Sequence, residues 1–218
     1  MPLLSHYATR LLIALLAGAS ATLAFAPYSL WPFAFIAPLL LLLLLHKQTI
    51  KKSTWLGFVW GLGYFGAGVS WVHVSIDNFG GMPVAASLFL MIGLISYLAL
   101  YPMLFSFLLQ RIFSNHKLTK YLLAAPALWL VTDWLRGWVF TGFPWLWLGY
   151  SQIDSPLSAW GPIFGVEGIT LMILISVGAM VYSLLEKKWT LFLIPAIIIA
   201  SSFAIKPFDW VTPQSDKA

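Results

Sequence analysis

Long apolar stretches alternate with short polar ones along the whole chain, a pattern typical of a helical membrane protein. A helix that crosses a bilayer needs about 20 predominantly apolar residues, and seven stretches approach or reach that length. They are residues 11–26, 30–45, 54–72, 84–109, 121–135, 166–185 and 189–205. The second contains Pro32 near its start and Pro38 inside, so we expect it to begin at one proline and bend at the other. The pattern predicts an all-α, polytopic membrane protein with about seven transmembrane helices.

One apolar stretch, residues 136–152 (RGWVFTGFPWLWLGYSQ), is too interrupted to form an ordinary span. Pro144 would remove a helical hydrogen bond, and Gly142 and Gly149 loosen the backbone on either side of it. Irregular backbone survives at membrane depth only where protein or a wet cavity satisfies its amides, and Trp and Tyr side chains favour the headgroup level. We therefore expect this aromatic segment to form a re-entrant or interfacial loop beside lipid headgroups.

The composition agrees with a membrane protein and excludes several kinds of site. Hydrophobic residues make up 61% of the chain and charged residues 9%, whereas about a quarter of the residues in a soluble domain are charged. The chain contains no cysteine, which excludes disulfides, thiolate metal sites and a cysteine nucleophile within these residues. We expect no metal and no cofactor. We also expect no nucleic-acid partner, because the basic residues are spread over short loops and form no basic face.

The distribution of Lys and Arg predicts the orientation, since cytoplasmic loops carry an excess of both. If the N-terminus is cytoplasmic, nine of the 12 basic residues fall in cytoplasmic segments and three on the opposite side. The nine are Arg10, Lys47, Lys51, Lys52, Arg111, Lys117, Lys120, Lys187 and Lys188, and the three are Arg136, Lys206 and Lys217. This pattern predicts an N-in, C-out topology in which the aromatic segment faces away from the cytoplasm.

Two ionisable residues near the aromatic segment each leave two interpretations open. Arg136 is placed to pair with Asp133 one turn earlier, or to grip a lipid phosphate in bidentate fashion. Glu167 follows Gly165 at the start of the sixth predicted span. Its carboxylate either benefits from the dipole of a helix N-terminus or faces a substrate.

Two further features are predicted to be structural. Residues 73–83 (HVSIDNFGGMP) suggest a solvated loop, in which His73 and Asp77 lack a third metal ligand and Gly80 and Gly81 form a turn before Pro83. The third predicted span contains five glycines that suit close helix packing, although an acyl chain would also fit such a surface. They are Gly57, Gly61, Gly63, Gly66 and Gly68.

Six motifs in sequence order resemble those of bacterial apolipoprotein N-acyltransferases, and together they cover nearly the whole chain. They are FAPYSLWPFA (25–34), GFVWGLGYFGAGVSWVHVSI (57–76), FGGMP (79–83), APALW (125–129), LRGWVFTGFPWLWLGYSQ (135–152) and VTPQ (211–214). The resemblance implies an enzyme of the bacterial inner membrane with its working face in the periplasm. Such an enzyme moves an acyl chain from a phospholipid, typically phosphatidylethanolamine, to the α-amino group of the diacylglyceryl-cysteine that begins an apolipoprotein.

The resemblance also implies what these residues lack. In the family a thioester forms on a cysteine, with a Glu and a Lys as partners, in a periplasmic nitrilase-like domain that follows the seventh span and precedes an eighth. This chain has no cysteine and ends where that domain would begin. We therefore expect a transmembrane bundle over residues 1–205, a periplasmic tail over residues 206–218 leading to the absent domain, no catalytic residue, and no activity of the chain alone.

The residues that the resemblance carries over belong to the lipid side of the reaction. Gly142 and Trp145 match positions that contribute to function near the lipid entry, and five others lie in the same matched block, with Glu167 as an addition. The predicted lipid- and substrate-binding residues are Arg136, Gly142, Phe143, Pro144, Trp145, Tyr150, Gln152 and Glu167. The expected partners are a phospholipid acyl donor and an apolipoprotein. The alternative is a noncatalytic lipid-binding or scaffold protein, while few charges inside the spans and no clear repeat disfavour a transporter.

Overall fold

The computed structural model describes residues 7–113 and 117–206, and 85% of the structure is helical. In chain order the α-helices are α1 (Tyr7–Ala21), α2 (Phe33–Leu45), α3 (Ile50–Val69), α4 (Val72–Gly80), α5 (Val84–Ile112), α6 (Lys117–Thr119), α7 (Ala125–Trp138), α8 (Gly161–Glu186) and α9 (Leu193–Ile205). A π-helical turn, Lys120–Ala124, joins α6 to α7. Five 3-10 turns complete the helical elements: Thr22–Ala24, Val139–Thr141, Leu148–Gln152, Pro156–Trp160 and Trp189–Phe192.

The all-helical class predicted from the sequence is confirmed, and each of the seven apolar stretches contains a helix. Within the described residues, three helical segments are long and apolar enough to cross a membrane. They are Tyr7–Ala24, Val84–Ile112 and Pro156–Glu186. Helix α2 and the segment Trp189–Ile205 are shorter apolar helices. The chain is thus a helical protein with the apolar helices of a membrane protein, while the number of seven spans and the N-in, C-out orientation stay predictions.

Several helix boundaries differ from those expected. Helix α3 begins at Ile50, four residues before the predicted start, because the Thr49 side chain caps it by accepting a hydrogen bond from the Lys52 amide at 3.4 Å. The loop expected at residues 73–83 is wrong, since residues 72–80 form α4. The predicted turn before Pro83 is present, because Gly81 adopts a left-handed conformation with φ of 60° and ends that helix. Helix α2 begins directly after Pro32, as predicted.

Helix α3 lies between α1 and α5 and packs against both through its glycines. A Cβ atom at Gly63 would collide with the backbone carbonyl of Leu15 in α1, and one at Gly61 would press on the backbone of Ala99 in α5. Gly57 faces α5 in the same way. The predicted packing role is therefore confirmed for these three positions. Gly66 differs, because a Cβ there would meet no atom within 4 Å.

This contrast makes a matched pair of substitutions informative. We expect Gly63→Ala to lower the free energy of unfolding by about 1–3 kcal/mol, since α1 and α3 must separate to accept the methyl group. Gly66→Ala adds the same methyl group in open space, where the higher helix propensity of alanine makes the change neutral or slightly stabilising. Thermal unfolding of both variants in the same detergent tests the assignment. Equal destabilisation by the two substitutions would contradict it.

Candidate functional site

The aromatic segment breaks the helical path between α7 and α8, as the sequence predicted. After Trp138 the chain makes the 3-10 turn Val139–Thr141, runs through residues 142–147 without regular structure, and makes a second 3-10 turn, Leu148–Gln152. Four of its residues have a positive φ angle: Phe140 (52°), Thr141 (74°), Gly142 (82°) and Leu146 (64°). Since non-glycine residues rarely adopt this conformation, the surrounding structure must hold the segment in place.

Gly142 occupies a conformation and a space that only glycine fits. Its φ of 82° and ψ of 147° lie in a region that is essentially closed to other residues. A Cβ atom there would collide with the carbonyl group of Gly137. The chain then turns back, and the Phe143 amide donates a hydrogen bond to the Arg136 carbonyl at 2.7 Å.

Arg136 lies beneath the segment and fixes it through two backbone carbonyls. The side chain is 2% exposed, and its Nη1 donates hydrogen bonds to the carbonyl oxygens of Phe143 at 2.9 Å and Trp145 at 2.5 Å. Irregular backbone in an apolar setting needs such partners, because no water is present to accept or donate hydrogen bonds. One guanidinium thus supplies the donors that two loop carbonyls require.

The charge of Arg136 is balanced by the carboxylate of Asp133, whose side chain is 14% exposed. Its Nη2 lies 2.9 Å from Oδ1 of Asp133, in the pairing that the sequence left open as one of two roles. Oδ2 of Asp133 accepts a hydrogen bond from the Trp129 indole at 3.0 Å. The guanidinium also lies 5.3 Å from the centre of the Phe65 ring, within cation–π range. Both charges are therefore paired and hydrogen-bonded, which buried ions require.

Two more contacts attach the segment to the rest of the bundle. The Tyr64 hydroxyl donates a hydrogen bond to the Leu146 carbonyl at 2.5 Å, and the Leu146 side chain lies over Gly68 of α3. On the other side, the Gly149 amide donates to the Thr170 hydroxyl of α8 at 2.9 Å. The segment is thus fixed between α3, α7 and α8.

A groove of about 740 Å³ opens beside the segment. One wall is the link after α1, with Phe25 and Tyr28, and a second is the end of α3 and its link to α4, with Gly68 and Trp71. The aromatic segment supplies the third. None of the described residues that line the groove is charged. Its volume is in the range of small-molecule sites, and its surface suits an apolar ligand.

The structure brings three of the predicted site residues to the groove: Pro144, Trp145 and Tyr150. The Trp145 and Tyr150 side chains are 55% and 52% exposed, so both rings are accessible to a ligand. Phe143 is half-buried, with its ring 5.5 Å from that of Trp145. Gly142 and Arg136 do not line the groove, but they determine the backbone path of the residues that do.

The other two predicted residues lie elsewhere. Gln152 is fully buried, and its amide donates hydrogen bonds to the Ser151 hydroxyl at 2.8 Å and the Trp31 carbonyl at 3.4 Å. It therefore ties the second turn of the segment to the start of α2. Glu167 is exposed on α8. It follows a break at Gly165 (φ 66°, ψ −172°), after which the helix begins again, so its carboxylate lies in a favourable first turn.

No site role was predicted for Phe25, Tyr28, Trp71 or Ile153, although all four line the groove. Three of them fall inside the motifs that carried the family resemblance, and that is the signal that could have identified them. Nothing in the local hydrophobic pattern separates them from other residues at the ends of apolar stretches.

Comparisons with known proteins identify the family of the chain. Residues 17–179 match the family described as apolipoprotein N-acyltransferase N-terminal domain. The chain is 57% identical over 216 residues to an apolipoprotein N-acyltransferase of Vibrio parahaemolyticus, covering 99% of this chain and 43% of the relative. It is 39% identical over 210 residues to one of Coxiella burnetii, covering 94% of this chain and 43% of that relative. The chain therefore spans about two fifths of the length of these curated relatives.

Proposed function

Because the chain belongs to the apolipoprotein N-acyltransferase family, we propose that it forms the membrane part of such an enzyme and that its groove binds the phospholipid acyl donor. The observation that carries the proposal is the groove itself, which is uncharged, partly aromatic and bordered by a rigidly held loop. An acyl chain offers no hydrogen-bonding groups, so an uncharged apolar surface is its natural complement. Burial of each methylene contributes about 0.8 kcal/mol.

The position of Trp145 and Tyr150 supports a donor whose headgroup lies at the rim. Trp and Tyr rings favour the level where acyl chains meet headgroups, because one edge of the ring is apolar and the other carries a hydrogen-bonding group. Both rings line the groove and are about half exposed. A donor with its chain in the groove would hold its ester group beside them, at the surface of the bundle.

The reaction proposed for the complete enzyme moves this acyl chain to the α-amino group of the diacylglyceryl-cysteine of an apolipoprotein. A thioester intermediate requires a cysteine thiolate with a base nearby, and these 218 residues contain no cysteine. We therefore assign donor binding and positioning to this chain. The covalent steps belong to residues outside it, so we expect the chain alone to be inactive.

We further propose that the groove faces the periplasm and that seven helices cross the inner membrane. The support is the nine-to-three distribution of Lys and Arg. Lys120 lies with Gln110 and Gln48 at the end of the bundle away from the groove. Arg136 lies at the groove end, which we call the loop end because it carries residues 139–153. Lys120 and Arg136 therefore lie at opposite ends of the bundle.

A chimeric enzyme tests the proposal. These residues would replace the matching 43% of the Vibrio parahaemolyticus relative, in a strain that depends on the chimera for lipoprotein N-acylation. We expect a model lipoprotein to gain the additional acyl group on its N-terminal peptide, as measured by mass spectrometry. A chimera that inserts into the membrane but leaves the α-amino group free would contradict the proposal, and would favour a noncatalytic lipid-binding protein.

Within the active chimera, Trp145→Ala tests the groove. We expect transfer at limiting donor to fall about tenfold, which corresponds to about 1.4 kcal/mol of lost contact with the donor, while membrane insertion is unchanged. Trp189→Ala is the matched control, because that ring is 61% exposed but does not line the groove. Normal N-acylation by the Trp145 variant, or an equal loss in both variants, would contradict the assignment.

A further inference from the structure

Helix α4 has apolar residues at a helical spacing that its neighbours do not fully cover. Val72, Ile76 and Phe79 follow an i, i+4, i+7 pattern, which places them along one stripe of the helix. His73, Asp77 and Asn78 lie off this stripe. The helix packs against α5, yet none of its nine residues is buried. It is therefore an amphipathic helix at the edge of the bundle.

Exposure increases along this stripe. Val72 is half-buried and packs against the hydrophobic core, Ile76 is half-buried, and Phe79 is 89% exposed. The apolar surface continues beyond the helix through Met82 and Val84, which are 43% and 55% exposed. A contiguous, exposed apolar surface of this kind marks a place where another apolar phase is in contact with the protein.

The neighbouring surface of α5 indicates which phase that is. Phe89 and Ile92 of α5 are 76% and 59% exposed, and α5 is a 29-residue helix that is apolar enough to cross a membrane. Between Val72 and Gln110 the only formally charged residue is Asp77. Protein partners are commonly oriented by charged groups on the surface that they bind, whereas the acyl chains of lipid need no charged group. The exposed stripe thus lies on a helix that packs beside α5, whose exposed residues suit contact with lipid.

We propose that α4 lies at the surface of the phospholipid leaflet at the loop end, with Phe79 inserted at the boundary between acyl chains and headgroups. Short amphipathic helices bind bilayers in this way, with the apolar side in the interface and the polar side in water. The ligand is the phospholipid surface itself. Phe79 is the anchor, and Asn78 lies on the side that faces water.

The position of α4 has a consequence for the groove. Trp71 immediately precedes α4 and lines the groove, so a helix held at the interface sets the height of that wall relative to the headgroups. The contact of Phe79 with lipid does not require an acyl chain in the groove. It is therefore testable separately from the function proposed above.

The absence of cysteine from the chain makes spin labelling direct. Phe79→Cys and Asn78→Cys variants, each carrying one nitroxide, would be reconstituted in phosphatidylethanolamine and phosphatidylglycerol vesicles. Collision with oxygen, which concentrates in lipid, would be compared with collision with a water-soluble nickel chelate. Phe89→Cys on α5 serves as the lipid reference. All three side chains are exposed, so the label displaces no core contact.

We expect the label at position 79 to resemble that at position 89, with high oxygen and low nickel accessibility, and the label at position 78 to show the reverse. Nickel accessibility at position 79 equal to that at position 78 would overturn the proposal, because α4 would then stand in water. A label at position 79 that neither reagent reaches would also overturn it, since protein and not lipid would then cover Phe79.

Discussion

Arg136→Ala is expected to lower the free energy of unfolding by about 3–5 kcal/mol and to release the aromatic segment from its position. The substitution leaves the Asp133 carboxylate, whose side chain is 14% exposed, without its charged partner, and removing one partner of a buried ion pair costs about this much in other proteins. It also removes the donor to the carbonyls of Phe143 and Trp145. We therefore expect a lower midpoint of thermal unfolding, and loss of phospholipid binding at temperatures where the helices remain folded.

Two variants separate the causes of this effect. In Asp133→Asn with Arg136→Met no unpaired charge remains, so we expect much of the stability to return while the carbonyls of Phe143 and Trp145 stay without their donor. Arg136→Lys keeps a positive charge, but one ammonium nitrogen cannot stand both where Nη2 pairs with Asp133 and where Nη1 donates to the two carbonyls. If the Arg136→Ala variant unfolded at the wild-type temperature and bound phospholipid as the wild type does, the hydrogen bonds from Arg136 would not be what holds the segment in place.

The same variants decide between the two roles that the sequence left open for Arg136. A residue that grips a lipid phosphate should keep part of its function as lysine, because lysine loses the bidentate geometry but still binds phosphate as a point charge. A residue that positions backbone carbonyls should not. The 2% exposure of the side chain and its three partners within the chain support positioning. We expect Arg136→Lys to lose donor binding nearly as completely as the alanine variant.

The helices were predictable because their signal is local. An apolar run such as residues 84–109 has only one stable state in a bilayer, where the backbone must satisfy its own hydrogen bonds, and α5 is found there. Helix α4 was missed because nine residues with four separated apolar side chains, ending in Gly80 and followed by Gly81 and Pro83, also fit a loop. In the structure α4 packs against α5, a contact that the local sequence does not reveal.

The site was predictable in part for the same reason. The irregular path of the aromatic segment follows from Gly142, Pro144 and Gly149, which are adjacent to the rings they position. The groove could not be predicted, because Tyr28, Trp71 and Trp145 are far apart in the chain and meet only through the packing of α1, α3 and α7. The direction of the Arg136 side chain likewise depends on where the carbonyls seven and nine residues later are placed.

Gly142→Ala is expected to have the second large effect, by displacing the segment while leaving every charge and ring in the chain. A residue other than glycine at this φ and ψ costs about 1–3 kcal/mol in backbone strain. Here the new methyl group would also meet the Gly137 carbonyl. The backbone must therefore move, which shifts Pro144 and Trp145 relative to the groove. We expect loss of phospholipid binding together with a lower midpoint of thermal unfolding.

Gly165→Ala is the matched control for this substitution. Gly165 also has a positive φ angle, 66°, but a Cβ atom there would meet nothing within 4 Å. The Gly165→Ala variant therefore has the backbone strain without the collision. We expect it to lower the free energy of unfolding while phospholipid binding is largely retained. If both variants kept binding equally well, the path of the chain at Gly142 would not determine the shape of the groove. If Gly142→Ala alone lost binding, the close approach to Gly137 would be what holds Trp145 against its ligand.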